Sequence, residues 1–69
     1  MATATALASA AKVLRDSPLP LLRSLEVAEN DDEVTLRGQV SSYYHKQLAQ
    51  EAVLPVLGAR RLQNLLVVQ

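Results

Sequence analysis

Two short apolar alternations flank a run of acids, and this arrangement restricts the fold more than any other feature of the chain. Leu25 and Val27 alternate with Ser24 and Glu26. Then comes Glu29-Asn30-Asp31-Asp32-Glu33, and then Val34, Leu36 and Val40 share one face of a second run. Period-two alternation marks a strand with one buried face, and Asn and Asp accept tight turns because they bond to their own backbone. The spacing predicts a β-hairpin: a strand from Arg23 to Ala28, a turn over the acidic run, and a strand from Glu33 to Val40.

Helical periodicity surrounds the hairpin. From Thr5 to Asp16, Leu7, Ala10, Ala11 and Leu14 recur at helical spacing, and Pro18 and Pro20 end the pattern. Ser41 or Ser42 is an N-cap for a second helix, from Ser42 to Leu57, that buries Leu48, Ala49, Ala52, Val53 and Val56. Its wet face carries Lys46, Gln47, Gln50 and Glu51, and Gly58 is its stop. Pro55 removes one hydrogen bond near that end, which predicts a kink or fraying there. Arg60 to Val68 reads as a third strand. A helix of about 15 residues and a strand of about seven span similar lengths, so the third strand returns parallel to the second. The expectation is an α+β fold of order αββαβ, a three-stranded sheet with two helices packed on one face. Its core would comprise Leu14, Leu25, Val27, Val34, Leu36, Val40, Leu48, Ala52, Val56, Leu62 and Leu66.

Length and composition set the scale. The 69 residues make one domain, 1–69, with no Cys, Phe or Trp, so the core is Leu, Val and Ala and no disulfide reinforces it. No apolar run approaches the roughly 18 residues of a membrane span. The opening Met1 to Lys12 lacks the basic start and dense apolar centre of a signal peptide, and the chain stops just after Asn64 to Gln69, as an excised domain would. The compartment stays open on these residues. Net charge is zero, yet four of the seven acids lie between Glu29 and Glu33, leaving three acids against seven basic residues elsewhere.

The run Val34-Thr35-Leu36-Arg37-Gly38-Gln39-Val40, the helix containing Gln47 to Val53, and Leu57 to Val68 together resemble the BON domain (bacterial OsmY and nodulation). Val34, Thr35, Leu36, Gly38 and Val40 match the first family motif, and Gly58, Leu62, Asn64, Leu66 and Val68 match the second, with Ala59 at a usual Val. The likeness runs from Leu7 onward. Asp32 and Glu33 stand where the family often has a turn glycine, and the tyrosine pair and Pro55 fall outside its pattern. The resemblance implies a non-enzymatic domain, without cofactor or metal, linked to phospholipid membranes or larger assemblies, mostly periplasmic.

Candidate sites are few. Gly38 mid-strand fits close packing or a bulge better than a ligand. His45 has no nucleophile-and-acid constellation around it, so no catalytic residue is expected. The acidic run lacks calcium-loop spacing and reads as a solvated hairpin tip. Tyr43 and Tyr44 stand about 100° apart at a helix start, so at most one can point fully into the core. If Leu62, Leu66 and Val68 face the helices, Leu65 and Val67 face away and are candidates for self-association.

Following the chain from end to end sorts the charges. The hairpin tip shares one pole with Arg60 and Arg61. The other pole gathers Lys12, Arg15, Arg23 and Lys46 beside Tyr43 and Tyr44. These six are the expected contacts to an anionic membrane surface or a protein partner, with tandem copies or a homo-oligomer supplying avidity. The alternative is a homotypic module using the sheet face. Nucleic acid is not an expected partner, because there is no Gly-x-x-Gly loop and no Phe or Trp platform.

Overall fold

The computed structural model describes residues 9–69; Thr5 to Ala8 of the first predicted helix lie outside the described residues. Helix α1 is Ala10–Arg15, capped by the Ser9 hydroxyl accepting from the Lys12 amide. Helix α2 is Pro20–Arg23, with Pro at its start. Then come β1 (Glu26–Glu29), β2 (Glu33–Arg37), β3 (Gln39–Val40), α3 (Tyr43–Val53), a 3-10 turn (Leu54–Val56), β4 (Arg61–Asn64) and β5 (Val67–Val68).

The fold is α+β, built on a mixed sheet of order β1-β2-β4. β1 pairs antiparallel with β2, Val27 opposite Leu36, and β2 pairs parallel with β4, Val34 opposite Leu62. β3 and β5 continue β2 and β4 in the same register, Val40 opposite Val68. The amides of Arg61, Leu65, Val67 and Gln69 donate to the carbonyls of Asp32, Leu36, Gly38 and Val40, each at 2.9 Å. The ladder therefore runs unbroken past the irregular residues between the short strands.

Several boundaries differ from the sequence expectation: the strands expected over Glu33 to Val40 and Arg60 to Val68 are each split in two, and the first strand and second helix have other limits. Arg23 to Leu25 is not strand. Pro20 opens a helical turn rather than only ending one, since its fixed φ and missing N–H suit the first helical position. That turn buries Leu22. β1 consequently starts at Glu26 and extends to Glu29, which belongs to the strand and not to the turn. The second helix is regular only to Val53. Pro55 has no N–H for the Glu51 carbonyl, and the chain tightens into the 3-10 turn at Leu54–Val56.

The buried cluster contains Ala10, Leu14, Leu22, Val34, Leu36, Val40, Ala49, Val53 and Leu66. Leu21, Leu25, Val27, Ala52, Val56, Leu57 and Leu62 pack at its margin. Leu48, expected in the core, is only half-buried, because the inward line of α3 runs through Ala49 and Val53. The methyl of Ala49 lets α3 approach the sheet closely, and Leu48 is turned about 100° from that line.

Gly38 has φ +139°, a conformation side chains rarely adopt. A Cβ there would lie 3.2 Å from Leu25 Cδ2 and 3.7 Å from Leu66 Cδ2. The position is thus held by packing of Leu25 and Leu66 on bare backbone. Gly38→Ala should cost more than about 1 kcal/mol, read as a lower urea midpoint. An unchanged midpoint would sink this account. Gly58, at φ +65°, ends the helical region in open space.

Candidate functional site

The two ends of the sheet carry opposite charge. At the hairpin end, Asn30 Oδ1 accepts from the amides of Asp32 (2.7 Å) and Glu33 (2.9 Å), which shapes the turn. Asp31 and Asp32 are exposed, and their carboxylates make no ion pair among the described residues. Glu33 lies 3.6 Å from Arg61 Nη2. Beside the turn, Asn30, Asp31, Val56, Leu57, Gly58, Ala59 and Arg60 line a groove of about 240 Å³.

Glu29 does not belong to that solvated cluster. Its Oε1 accepts from the Ala10 amide (3.1 Å) and Arg60 Nη1 (3.0 Å). Its Oε2 accepts from the Ser9 hydroxyl (2.7 Å) and the Ala11 amide (3.1 Å). The pair is largely enclosed, with 21% of the Glu29 side chain and 13% of Arg60 exposed. Burial pushes this carboxyl up, but the Ser9 hydroxyl, the Ala11 and Ala10 amides and the Arg60 guanidinium outweigh it and hold the pKa at about 2. Arg60 also donates to the carbonyls of Leu57 (3.0 Å) and Val56 (2.8 Å). The two charges thus join the start of α1 to the end of the α3 region, each satisfying helix-end groups of opposite partial charge. Sequence reasoning missed this centre. Its only local signal was Ser9 as a cap without an acid three residues on; the acid comes from β1 instead.

At the other end, both tyrosines are 68% exposed, so neither enters the core. With Ala49 and Val53 inward, Tyr43 and Tyr44 fall about 120° and 140° round the helix from Ala49. Ser42 caps α3 by accepting from the His45 amide (3.2 Å), and His45 Nδ1 lies 3.2 Å from Ser41 Oγ and 3.1 Å from Ser42 Oγ. His45 is engaged in this cap. Arg15 and Arg23 line one cleft of about 130 Å³ with Leu14, Leu25 and Val27. Arg23 Nη1 also donates to the Ser17 carbonyl (2.8 Å). Lys12 lies one turn before Arg15 on α1, and its Nζ is paired with Asp16 at 2.7 Å. That ammonium, by hydrogen bond and charge, holds the Asp16 carboxyl below its usual range. Lys46 is half-buried on α3, and its carbonyl accepts from Asn64 Nδ2 (3.0 Å). Arg37 joins this end opposite Glu26. Arg15 and Arg23 are therefore brought together, and the Lys12 ammonium is taken up by Asp16, the residue next to Arg15.

Asn64 fastens helix to sheet: besides holding Lys46, its Oδ1 accepts from the Leu66 amide (3.2 Å). On the open sheet face, Leu65 is 45% and Val67 54% exposed. Among the described residues no acid, His or Cys cluster could hold a metal ion, and no helix is long and apolar enough to cross a membrane.

The family model for the BON domain matches residues 3–69. No curated protein and no solved structure shows significant similarity to the chain. A match spanning essentially the whole chain, together with an α+β fold on a mixed three-stranded sheet, places this chain in the BON domain family, a family of non-enzymatic binding modules.

Proposed function

We propose that this chain is a non-catalytic module that docks on anionic phospholipid surfaces through its basic end. The observation that carries the reading is the exposure of Tyr43 and Tyr44 at the end holding Arg15, Arg23 and Lys46, with Asp31 and Asp32 at the opposite end. Tyrosine settles at headgroup level, having an apolar body and a wet tip. Each basic group near an anionic surface contributes about 1 kcal/mol, so three give about 3 kcal/mol, short of the roughly 4 kcal/mol of a 1 mM complex. Tyrosine insertion or tandem copies must supply the rest.

Binding to anionic vesicles should weaken with salt and fall at least tenfold in Arg23→Glu/Lys46→Glu. Arg60→Gln and Arg61→Gln should change it less, a comparison made on folded protein because Arg60 pairs with Glu29. Shift mapping by NMR should centre on Tyr43 to Lys46. Shifts centred on Arg61, or no binding by a tandem protein at low salt, would remove the lipid reading.

The exposure of Leu65 and Val67 favours a second reading, homotypic association through the open sheet face. Leu65→Ser/Val67→Ser would then abolish a concentration-dependent rise in mass.

A further inference from the structure

The groove at the acidic end is lined by Val56, Leu57, Gly58 and Ala59 together with Asn30, Asp31 and Arg60, whose guanidinium is paired with Glu29. Its volume, about 240 Å³, exceeds the roughly 150 Å³ that admits a benzene ring in an apolar cavity. The opposite end presents what such a groove selects: two exposed phenol rings on the first turn of α3, which also carries Lys46, with Arg23 at the same end of the sheet. β2, β3 and α3 fix the two features at opposite ends. β2 leaves the turn at Glu33, β3 ends at Val40, α3 starts at Tyr43 and ends at Val53, and the 3-10 turn after it reaches the groove at Val56.

We propose that the domain associates head to tail with a second copy of itself. A tyrosine of the pair Tyr43/Tyr44 in one copy enters the groove formed by Val56, Leu57 and Ala59 in the next. Asp31 and Asp32 of the groove's copy face Lys46 and Arg23 of the incoming copy. Both acids are exposed and unpaired among the described residues, whereas Arg60 and Arg61 at the same end face Glu29 and Glu33, which leaves the two Asp carboxylates for an incoming cation. Aromatic anchors in apolar pockets carry most of the energy of small interfaces, and rim charges set register and encounter rate. Because the two surfaces differ, the contact is heterologous and extends into open chains unless rotation closes a ring. It covers the tyrosines that the lipid reading uses, so anionic vesicles should compete with it.

The test is sedimentation of the domain in lipid-free, low-salt buffer. Three samples are compared: wild type, an acidic-end variant (Asp31→Lys/Asp32→Lys) and a basic-end variant (Tyr43→Ser/Tyr44→Ser/Lys46→Glu). All substitutions are at partly or fully exposed positions, and circular dichroism confirms folding. Wild type should gain mass with concentration and lose it as salt rises. Each variant alone should associate at least tenfold more weakly. Mixed one to one, the variants should form dimers and nothing larger, since each retains the surface the other has lost. A monomeric wild type at about 1 mM would overturn the proposal. So would a mixture that stays monomeric, or association that survives both variants and disappears in Leu65→Ser/Val67→Ser. Vesicle binding is read in a separate experiment, so failure of the lipid reading leaves this result intact.

Discussion

Leu36→Ala should leave the domain largely unfolded in buffer. Leu36 is buried at the centre of the middle strand, opposite Val27 on one side and Asn64 on the other. Truncating a buried leucine costs about 2–5 kcal/mol, and a single core in a chain this short supplies only about 3–5 kcal/mol. Leu66→Ala should behave similarly, because Leu66 is also buried and packs over Gly38. Leu65→Ala, on the exposed face one residue away, is the control and should change stability little. The measurement is the thermal midpoint by circular dichroism. A Leu36→Ala or Leu66→Ala protein melting within a few degrees of wild type would refute this core.

Much of the fold was legible because the decisive signals are local. Val34, Leu36 and Val40 alternate regardless of what covers them, and Ser42 caps α3 through an amide three residues away. Leu65 and Val67 followed from the same alternation. What stayed hidden depends on distant partners or on competition between local rules. Pro20 can stop one helix or start another, and only the burial of Leu22 decides. The phase of α3 depends on how close the helix approaches the sheet, which favours Ala49 over Leu48 as the inward residue. That phase turns both tyrosines outward, a result their adjacency alone did not imply. The charge separation was legible in outline, since the order of elements fixes which ends meet. Its detail was not: the start of α1 is held by an anchor 19 residues along the chain from Ala10, and the Lys12 ammonium is taken up by Asp16.

That anchor, Glu29, gives the second large effect. Helix α1 has six residues, too few to persist alone, so its place depends on tertiary contacts. Glu29 supplies three of them, to Ser9, Ala10 and Ala11, while Arg60 holds the carboxylate in place, and Ala10 and Leu14 lie in the core. Its pKa is lowered from 4.5 to about 2, so the carboxylate contributes stability that is fully present above pH 4.5. That contribution is lost as pH falls from 4.5 through about 2. Each unit corresponds to about 1.4 kcal/mol, so the loss is about 3 kcal/mol. Glu29→Gln removes the charge and replaces one accepting oxygen with a donor that faces other donors. At neutral pH it should lower stability by about 2–4 kcal/mol, comparable to a core truncation. Urea unfolding of both proteins between pH 7 and pH 2 makes the test specific. The wild-type advantage should be constant above pH 4.5 and shrink steadily below it, the other carboxylates cancelling in the difference. Hydrogen exchange should report the same event locally, with the Val13 amide, bonded to the Ser9 carbonyl, losing protection first in the variant. A difference between the two proteins that does not change with pH would show that Glu29 acts through its shape alone and that its charge does not hold α1 in place.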